Sequence, residues 1–197
     1  MYEITTPAHH HITTSGGEPP PHHHITTPPH ENMYIPFNTL LDSARIWIYQ
    51  ANRTLQANDA LAISDFLTPQ IQDWSAHQQP LLASFKIIEN RFVVIAVDEN
   101  ESLPSGCSID KSTHWLQQLG AKLNIDFFDR SVAYLEDETI KTLPVNAIKA
   151  AVLENQIEPN TLIFNNLIKT KAEFESSWKV SASESWVKRF FKLQATL

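Results

Sequence analysis

The segment "LLASFKIIENRFVVIAVDE" (81–99) determines the fold that we predict for this chain. Its two apolar runs, 81–88 and 91–99, are rich in β-branched and aromatic residues, and Glu89-Asn90 joins them. The second run is hydrophobic almost without interruption, which is typical of a strand covered on both faces. We therefore predict two adjacent strands, the second of them central in its sheet.

The neighbouring segments extend this pair of strands into an α+β fold. "ARIWIYQAN" (44–52) has the composition of a strand, and a helix capped by Asn58 is expected to follow it. Pro69 either kinks that helix or starts a second helical segment. A further helix is predicted at 108–123, and a hairpin at 131–143.

The first six predicted elements run β-α-β-β-α-β. This is the order of a ferredoxin-like unit, in which a two-layer structure has an antiparallel sheet with two helices on one face. Four C-terminal additions complete the prediction: a helix at 145–155, a strand at 161–166, and helical turns at 170–178 and 183–193.

The composition of the chain changes at Met33. Before it lie seven of the nine histidines, six of the twelve prolines and no Lys or Arg, and the string HHHITT occurs twice. Such a stretch buries too few apolar groups to offset the entropy lost on ordering. We predict that residues 1–32 are a disordered, non-native leader ahead of a natural start at Met33, and that 33–197 form a single domain.

The composition of 33–197 excludes several classes of function. All 15 Lys and Arg residues lie there with 19 of the 22 Asp and Glu residues, so its net charge is −4, which argues against nucleic-acid binding. The single cysteine cannot form an intrachain disulfide, and no apolar run reaches the roughly 18 residues that a membrane span needs. We expect a cytoplasmic protein that does not insert into membranes, with no metal site and no cofactor.

Three fragments are similar to parts of an ATPase. "VVIAVDE" (93–99) ends in two acids like a Walker B strand, "DKS" (110–112) is similar to the end of a phosphate-binding loop, and "LPSGC" (103–107) to an ABC signature loop. A phosphate-binding loop follows the pattern G-x-x-x-x-G-K-[ST], and its glycines let backbone N–H groups surround the phosphates. Here Ser105 and Asp110 occupy the glycine positions. The residues alone therefore do not predict a working phosphate-binding loop.

The segment "SGCSIDKSTHW" (105–115) has a structural and a ligand-binding interpretation. Structurally, Ser108 would cap a helix, and the stem of Lys111 would stack on Trp115 one turn later. Functionally, the positive end of that helix favours an anion, so Ser108, Lys111 and Ser112 are candidate ligand-binding residues.

Cys107 in this segment is also a candidate nucleophile. A thiol at a helix N-terminus has its thiolate stabilised by the helix dipole. In the predicted fold, the end of the first helix, the end of the third strand and the start of the second helix meet at one sheet edge. That edge would bring together Cys107 as nucleophile, His77 as base and Asp98 as the group that orients the imidazole.

The C-terminal segment "SWVKRFFKL" (185–193) is basic and amphipathic on an acidic protein. We expect it to dock on its own domain, with a protein partner or an anionic surface as the alternative. The five tryptophans are expected mainly in the core. "FNNL" (164–167) is typical of a strand that leads into a turn.

Six strings together resemble a known family: "MYIPFNTL", "RIWIYQANR", "DWSAH", "SGCSIDKS", "FNNL" and "SWVKRFF". The family consists of short, single-domain bacterial proteins, mostly from the Bacteroidetes, that carry the name ABC transporter ATPase. The resemblance covers nearly all of 33–197, and the leader has no counterpart in it. It implies ATP hydrolysis associated with a transporter, and it assigns no residue to an active site.

Three functional hypotheses follow from the sequence. The first is a non-catalytic domain that binds a protein partner or a small ligand. The second is a cysteine-dependent enzyme that uses Cys107 with His77. The third is the ATPase that the family resemblance implies.

Overall fold

The structure, a computed structural model, describes residues 34–100 and 103–194, and the leader predicted at 1–32 lies outside these residues. Its helices and strands follow in chain order: β1 (Arg45–Gln50), α1 (Ala57–Gln72), β2 (Ser75–Ala76), β3 (Gln79–Pro80), β4 (Leu82–Ile88), β5 (Phe92–Asp98), α2 (Gly106–Leu123), β6 (Val132–Glu136), β7 (Thr139–Leu143), α3 (Ile148–Leu153), β8 (Leu162–Phe164), α4 (Lys171–Ser177), β9 (Lys179–Ser181) and α5 (Lys188–Gln194).

The first sheet is antiparallel, with strand order β1-β5-β4. All seven residues of β5 are buried, as predicted for a central strand. The turn between β4 and β5 is made by Glu89 and Asn90, whose φ angles are 54° and 46°. Two consecutive positive φ angles at the centre of a hairpin turn give it the twist that the flanking strands need. The predicted strand pair and the central position of β5 are therefore confirmed.

Helices α1 and α2 cover one face of this sheet, as predicted. The core between them includes Ile63 and Leu67 of α1, Leu116 of α2, and Val93 and Ile95 of β5. This layer excludes water from one face of β5 and fixes the sheet against the helices.

The predicted start of α1 is wrong by two residues. Gln56 is the N-cap residue instead of Asn58, and the Asp59 carboxylate accepts the backbone N–H of Gln56 at 2.8 Å. The helix then continues through Pro69 to Gln72. Pro69 lies in the last turn, where the loss of one backbone hydrogen bond does not break the helix.

A second antiparallel sheet, with strand order β7-β6-β8-β9, supplies much of the other layer. The predicted hairpin at 131–143 is confirmed as β6 and β7. The uncovered face of the first sheet packs on a second core that includes Phe92, Phe164, Phe174 and Trp178. The short strand β9 and the small β2–β3 hairpin were not predicted, because runs of two or three residues carry no readable period.

The α+β class is confirmed, but the complete ferredoxin-like sheet is not found. The sixth predicted element, β6, pairs with β7 and β8 instead of joining β1. Among the described residues, two isolated bridges meet the free edge of β1, one between Arg45 and Thr170 and one between Gln50 and Phe128. Short segments thus hold this edge at its two ends, and the strand that follows α2 belongs to the other sheet.

The C-terminal segment docks on its own domain, as expected. Val187 is fully buried, and Trp186, Phe190 and Phe191 pack against the third core, which includes Ile148 of α3. Three of the tryptophans are buried, whereas Trp47 and Trp186 are half-buried. Trp186 lies beside the cleft described next.

Candidate functional site

A cleft of about 590 Å³ opens between the two sheets. The end of β1 forms one side, and the loop that leads from α2 into β6 forms another. The turn after β8, the start of α5 and Val145 complete it. Clefts that bind small molecules measure about 300–1,000 Å³, so this one has the size of a ligand site.

The walls of the cleft are largely apolar and partly open to solvent. Phe128 is 37% exposed, Val145 52% and Leu167 78%, although each is a large apolar side chain. They are three of the seven such exposed side chains in the described part of the chain. Single exposed apolar residues need no explanation, but a cluster of them is typical of a binding surface.

Gln50 forms the polar floor of the cleft and is only 2% exposed. Its amide nitrogen donates to Asp129 Oδ2 at 3.2 Å and to the Ser131 carbonyl at 2.9 Å. Its amide oxygen accepts from Asn166 Nδ2 at 2.9 Å. Both ends of the amide are engaged, so its orientation is fixed by three hydrogen bonds.

The "FNNL" turn connects this floor to the core. Asn166 Oδ1 accepts a hydrogen bond from the indole N–H of Trp178 at 3.1 Å, and the same amide donates to Gln50. The Asn165 side chain accepts the Leu167 N–H at 3.3 Å, which is an Asx turn. The predicted turn is confirmed, and its asparagines also place Leu167 at the cleft.

Asp129 is the acidic group of the floor, and Arg91 lies behind it. Partial burial would raise the pKa of Asp129, but hydrogen bonds from Ser131 and Gln50 and the charge of Arg91 outweigh it and hold that pKa below its ordinary value. Burial lowers the pKa of Arg91, which the nearby Asp129 charge partly offsets. The Arg91 guanidinium lies 3.9 Å from Asp129 Oδ2, so the two charges balance each other beneath the cleft.

Two exposed arginines, Arg130 and Arg189, also line the cleft. The structure records no ion pair for either one with the residues that it describes. The Arg189 guanidinium lies over the rings of Trp186 and Phe190, at 5.2 and 4.7 Å from their centroids. The cleft therefore has a net positive charge, because Arg91 neutralises the Asp129 carboxylate.

The candidate ligand-binding residues at the start of α2 form local contacts. The Ser108 hydroxyl donates to the Ser105 carbonyl at 2.8 Å, and the Ser112 hydroxyl to the Ile109 carbonyl at 2.7 Å. Both serines are buried. Lys111 is exposed and its ammonium lies 5.9 Å from the Trp115 ring centroid, which confirms the predicted stacking.

The predicted cap of α2 is wrong. Ser105, not Ser108, caps the helix, and its hydroxyl accepts the Ser108 N–H at 3.2 Å. The helix therefore begins at Gly106 and includes Cys107 in its first turn.

The end of α1 lies against the start of α2. The indole N–H of Trp74, after α1, donates to the Ser108 carbonyl at 3.1 Å. Cys107 and His77 are exposed, and Asp98 is buried and accepts hydrogen bonds from Asn100.

No hydrogen bond joins Cys107, His77 and Asp98 to one another within residues 34–100 and 103–194. The cysteine-enzyme hypothesis accordingly stays a prediction.

Within residues 34–100 and 103–194, no helix has both the length and the apolarity to cross a bilayer. In the same residues, no group of three or more His, Cys, Asp or Glu side chains is placed to hold a metal ion.

Sequence reasoning missed most of the cleft. It predicted a turn at "FNNL", and at "SWVKRFFKL" a docking segment or a surface for a protein partner or an anion, but it placed neither of them in a cleft. One signal was present: Gln50 ends the apolar run "IWIYQ" (46–50), and a polar residue at the end of a buried strand needs a partner. That partner lies 79 positions away at Asp129, which the order of residues does not reveal.

Comparison of the chain with protein-family models, with curated proteins and with solved structures found no match. The family resemblance and the ATPase activity that it implies stay predictions. The geometry of the cleft is the main evidence for function.

Proposed function

We propose that this domain is a non-catalytic binding module whose ligand is a small, partly apolar molecule held in the cleft between the two sheets. The observation that carries the proposal is the cleft itself, with about 590 Å³ of space, apolar walls and a fixed polar floor. Apolar walls supply affinity, and a few fixed polar groups supply orientation.

The state of the floor residues supports binding over catalysis. A general base that works near neutral pH needs a pKa close to 7. The pKa of Asp129 is instead held below its ordinary value, so this carboxylate is a weak base. Both N–H groups of the Gln50 amide and its oxygen are bonded to protein partners, and the amide therefore fixes the shape of the floor.

Titration with 1-anilinonaphthalene-8-sulfonate tests the proposal, because this probe joins an apolar ring system to an anionic group and fluoresces in apolar sites. We expect saturable binding of one probe per chain. Leu167→Glu should weaken it about tenfold, since it places a charge on the apolar wall.

Leu61→Glu is the matched control. Leu61 is 62% exposed on α1 and does not line the cleft, so this variant should bind the probe as the parent chain does. Equal binding by both variants, or no saturable binding by the parent chain, would contradict the proposal. Circular dichroism should confirm that both variants are folded.

A further inference from the structure

The edge of β1 that faces away from β5 is hydrogen-bonded near both of its ends. Near its start, the Ile46 N–H donates to the Lys169 carbonyl at 2.9 Å. At its end, the Gln50 carbonyl accepts the Asp129 N–H at 3.2 Å. Both bonds leave the side of β1 that faces away from β5.

Ile48 lies midway between these two bonds. The backbone groups of a strand alternate between its two sides, so the N–H and C=O of Ile48 point to the same side as those of Ile46 and Gln50. The structure records no hydrogen bond to them on that side from the residues that it describes. Ile48 lines the cleft and is half-buried.

The N–H and C=O groups on the edge of a strand offer a site for pairing with another extended chain. The N–H and C=O of one strand residue are matched by the C=O and N–H of a single facing residue in an antiparallel pair. One amino-acid unit in an extended conformation carries that pair of groups. A ligand of this kind would add one bridge to the edge of β1, as peptides do when they extend a sheet.

The charged residues of the cleft determine which terminal groups the ligand amino acid can carry. Arg130 and Arg189 line it without an ion pair among the described residues. They favour a free carboxylate and disfavour a free ammonium group. The apolar walls at Phe128 and Leu167 favour an apolar side chain and an uncharged acyl group on the nitrogen.

We infer that the cleft binds an N-acylated, apolar α-amino acid with a free carboxylate, and this inference rests on the proposed binding function. The ligand amide N–H donates to the Ile48 carbonyl, and one carboxylate oxygen accepts the Ile48 N–H. The other carboxylate oxygen faces Arg130 and Arg189, and the apolar groups lie against the cleft walls.

N-acetyl-L-phenylalanine is the probe for the test, with the full chain labelled with ¹⁵N and observed by NMR. Its methyl ester removes the charge, and N-acetyl-N-methyl-L-phenylalanine removes the amide donor. We expect the ester to bind about tenfold more weakly and the N-methyl compound about fivefold more weakly. The amide resonance of Ile48 should be among those that shift most.

The double variant Arg130→Ala/Arg189→Ala should bind the acid no more tightly than the ester. The matched control is Lys141→Ala/Lys188→Ala, which removes two exposed charges that do not line the cleft and should leave the preference for the acid intact. Acetyl-Ala-Ala-Phe with a free carboxylate distinguishes a peptide terminus from a free acyl amino acid. Tighter binding of this peptide points to the peptide source, and equal or weaker binding to the small molecule.

Equal affinity for acid and ester, or an Ile48 amide that does not shift, would overturn the inference. If anilinonaphthalene sulfonate binds and the acyl amino acid does not, the inference fails while the proposed function stands. If neither binds, both fail.

Discussion

The start of α2 and the cleft between the sheets differ in how their polar residues are assembled. The segment 105–115 collects Cys, Lys, Ser and His within eleven residues, and its buried hydroxyls bond to carbonyls three positions away. In the cleft, Gln50 bonds to residues 79 and 116 positions away. The polar residues that lie close together in the sequence thus form local hydrogen bonds at the start of a helix. The polar residues that line the cleft come together only when the chain folds.

The largest loss of stability is expected from a substitution in the floor of the cleft. Gln50→Ala should lower the free energy of unfolding by about 2–4 kcal/mol, because it removes the three hydrogen bonds that join this buried side chain to Asp129, Ser131 and Asn166. Urea denaturation measures this loss. A loss below about 1 kcal/mol would mean that the polar floor is not a fixed part of the fold.

The next largest effect is expected for Asp129→Asn. This substitution should lower the free energy of unfolding by about 2 kcal/mol at neutral pH, because Arg91 loses its charged partner. The folded pKa of Asp129 is lowered, so its stabilisation is fully present above the ordinary Asp pKa of about 4 and is lost as the pH falls through the folded pKa. The difference in stability between parent and variant should therefore be constant from about pH 5 to 8 and shrink below about pH 4. Urea denaturation at a series of pH values measures it, and a difference that grows in acid would contradict the assignment.

Ser105→Ala should have a smaller effect, of about 1 kcal/mol, because it removes the cap of α2. Thermal or urea denaturation checks the loss. Binding of anilinonaphthalene sulfonate should be unchanged, since Ser105 does not line the cleft. Weaker probe binding in a folded Ser105→Ala variant would move the ligand site toward α2.

The smallest loss of stability, about 0.5 kcal/mol or less, is expected for Cys107→Ser, because the thiol is free and exposed to solvent. Probe binding should again equal that of the parent chain. A large change in either measurement would favour the start of α2, instead of the cleft, as the functional site.

Much of the first layer could be predicted from the sequence, and the reasons are local. The run at 91–99 has the hydrophobicity of a central strand, and Glu89-Asn90 supplies the two central residues of the turn. The start of α1 was misplaced because Gln56 is a less common cap than Asn58, and its partnership with Asp59 is visible only in the structure. These errors are small and stay within one element.

The second layer and the cleft could not be predicted in the same way. The place of β6 depends on whether it pairs with β1 or with β8, and both pairings suit its largely apolar residues. Trp186 and Arg189 come to the cleft only because α5 docks beside α3. Such long-range choices leave no period or spacing in the sequence.

The most direct test of the central claim is an NMR titration of the ¹⁵N-labelled chain with anilinonaphthalene sulfonate, which compares the amide shifts of the two regions. We predict that the largest shifts fall at the cleft, at Ile48, Phe128 and Leu167, and that amides of 105–115 hardly move. Shifts concentrated at Cys107 and Lys111, with Ile48 and Leu167 unmoved, would contradict the account.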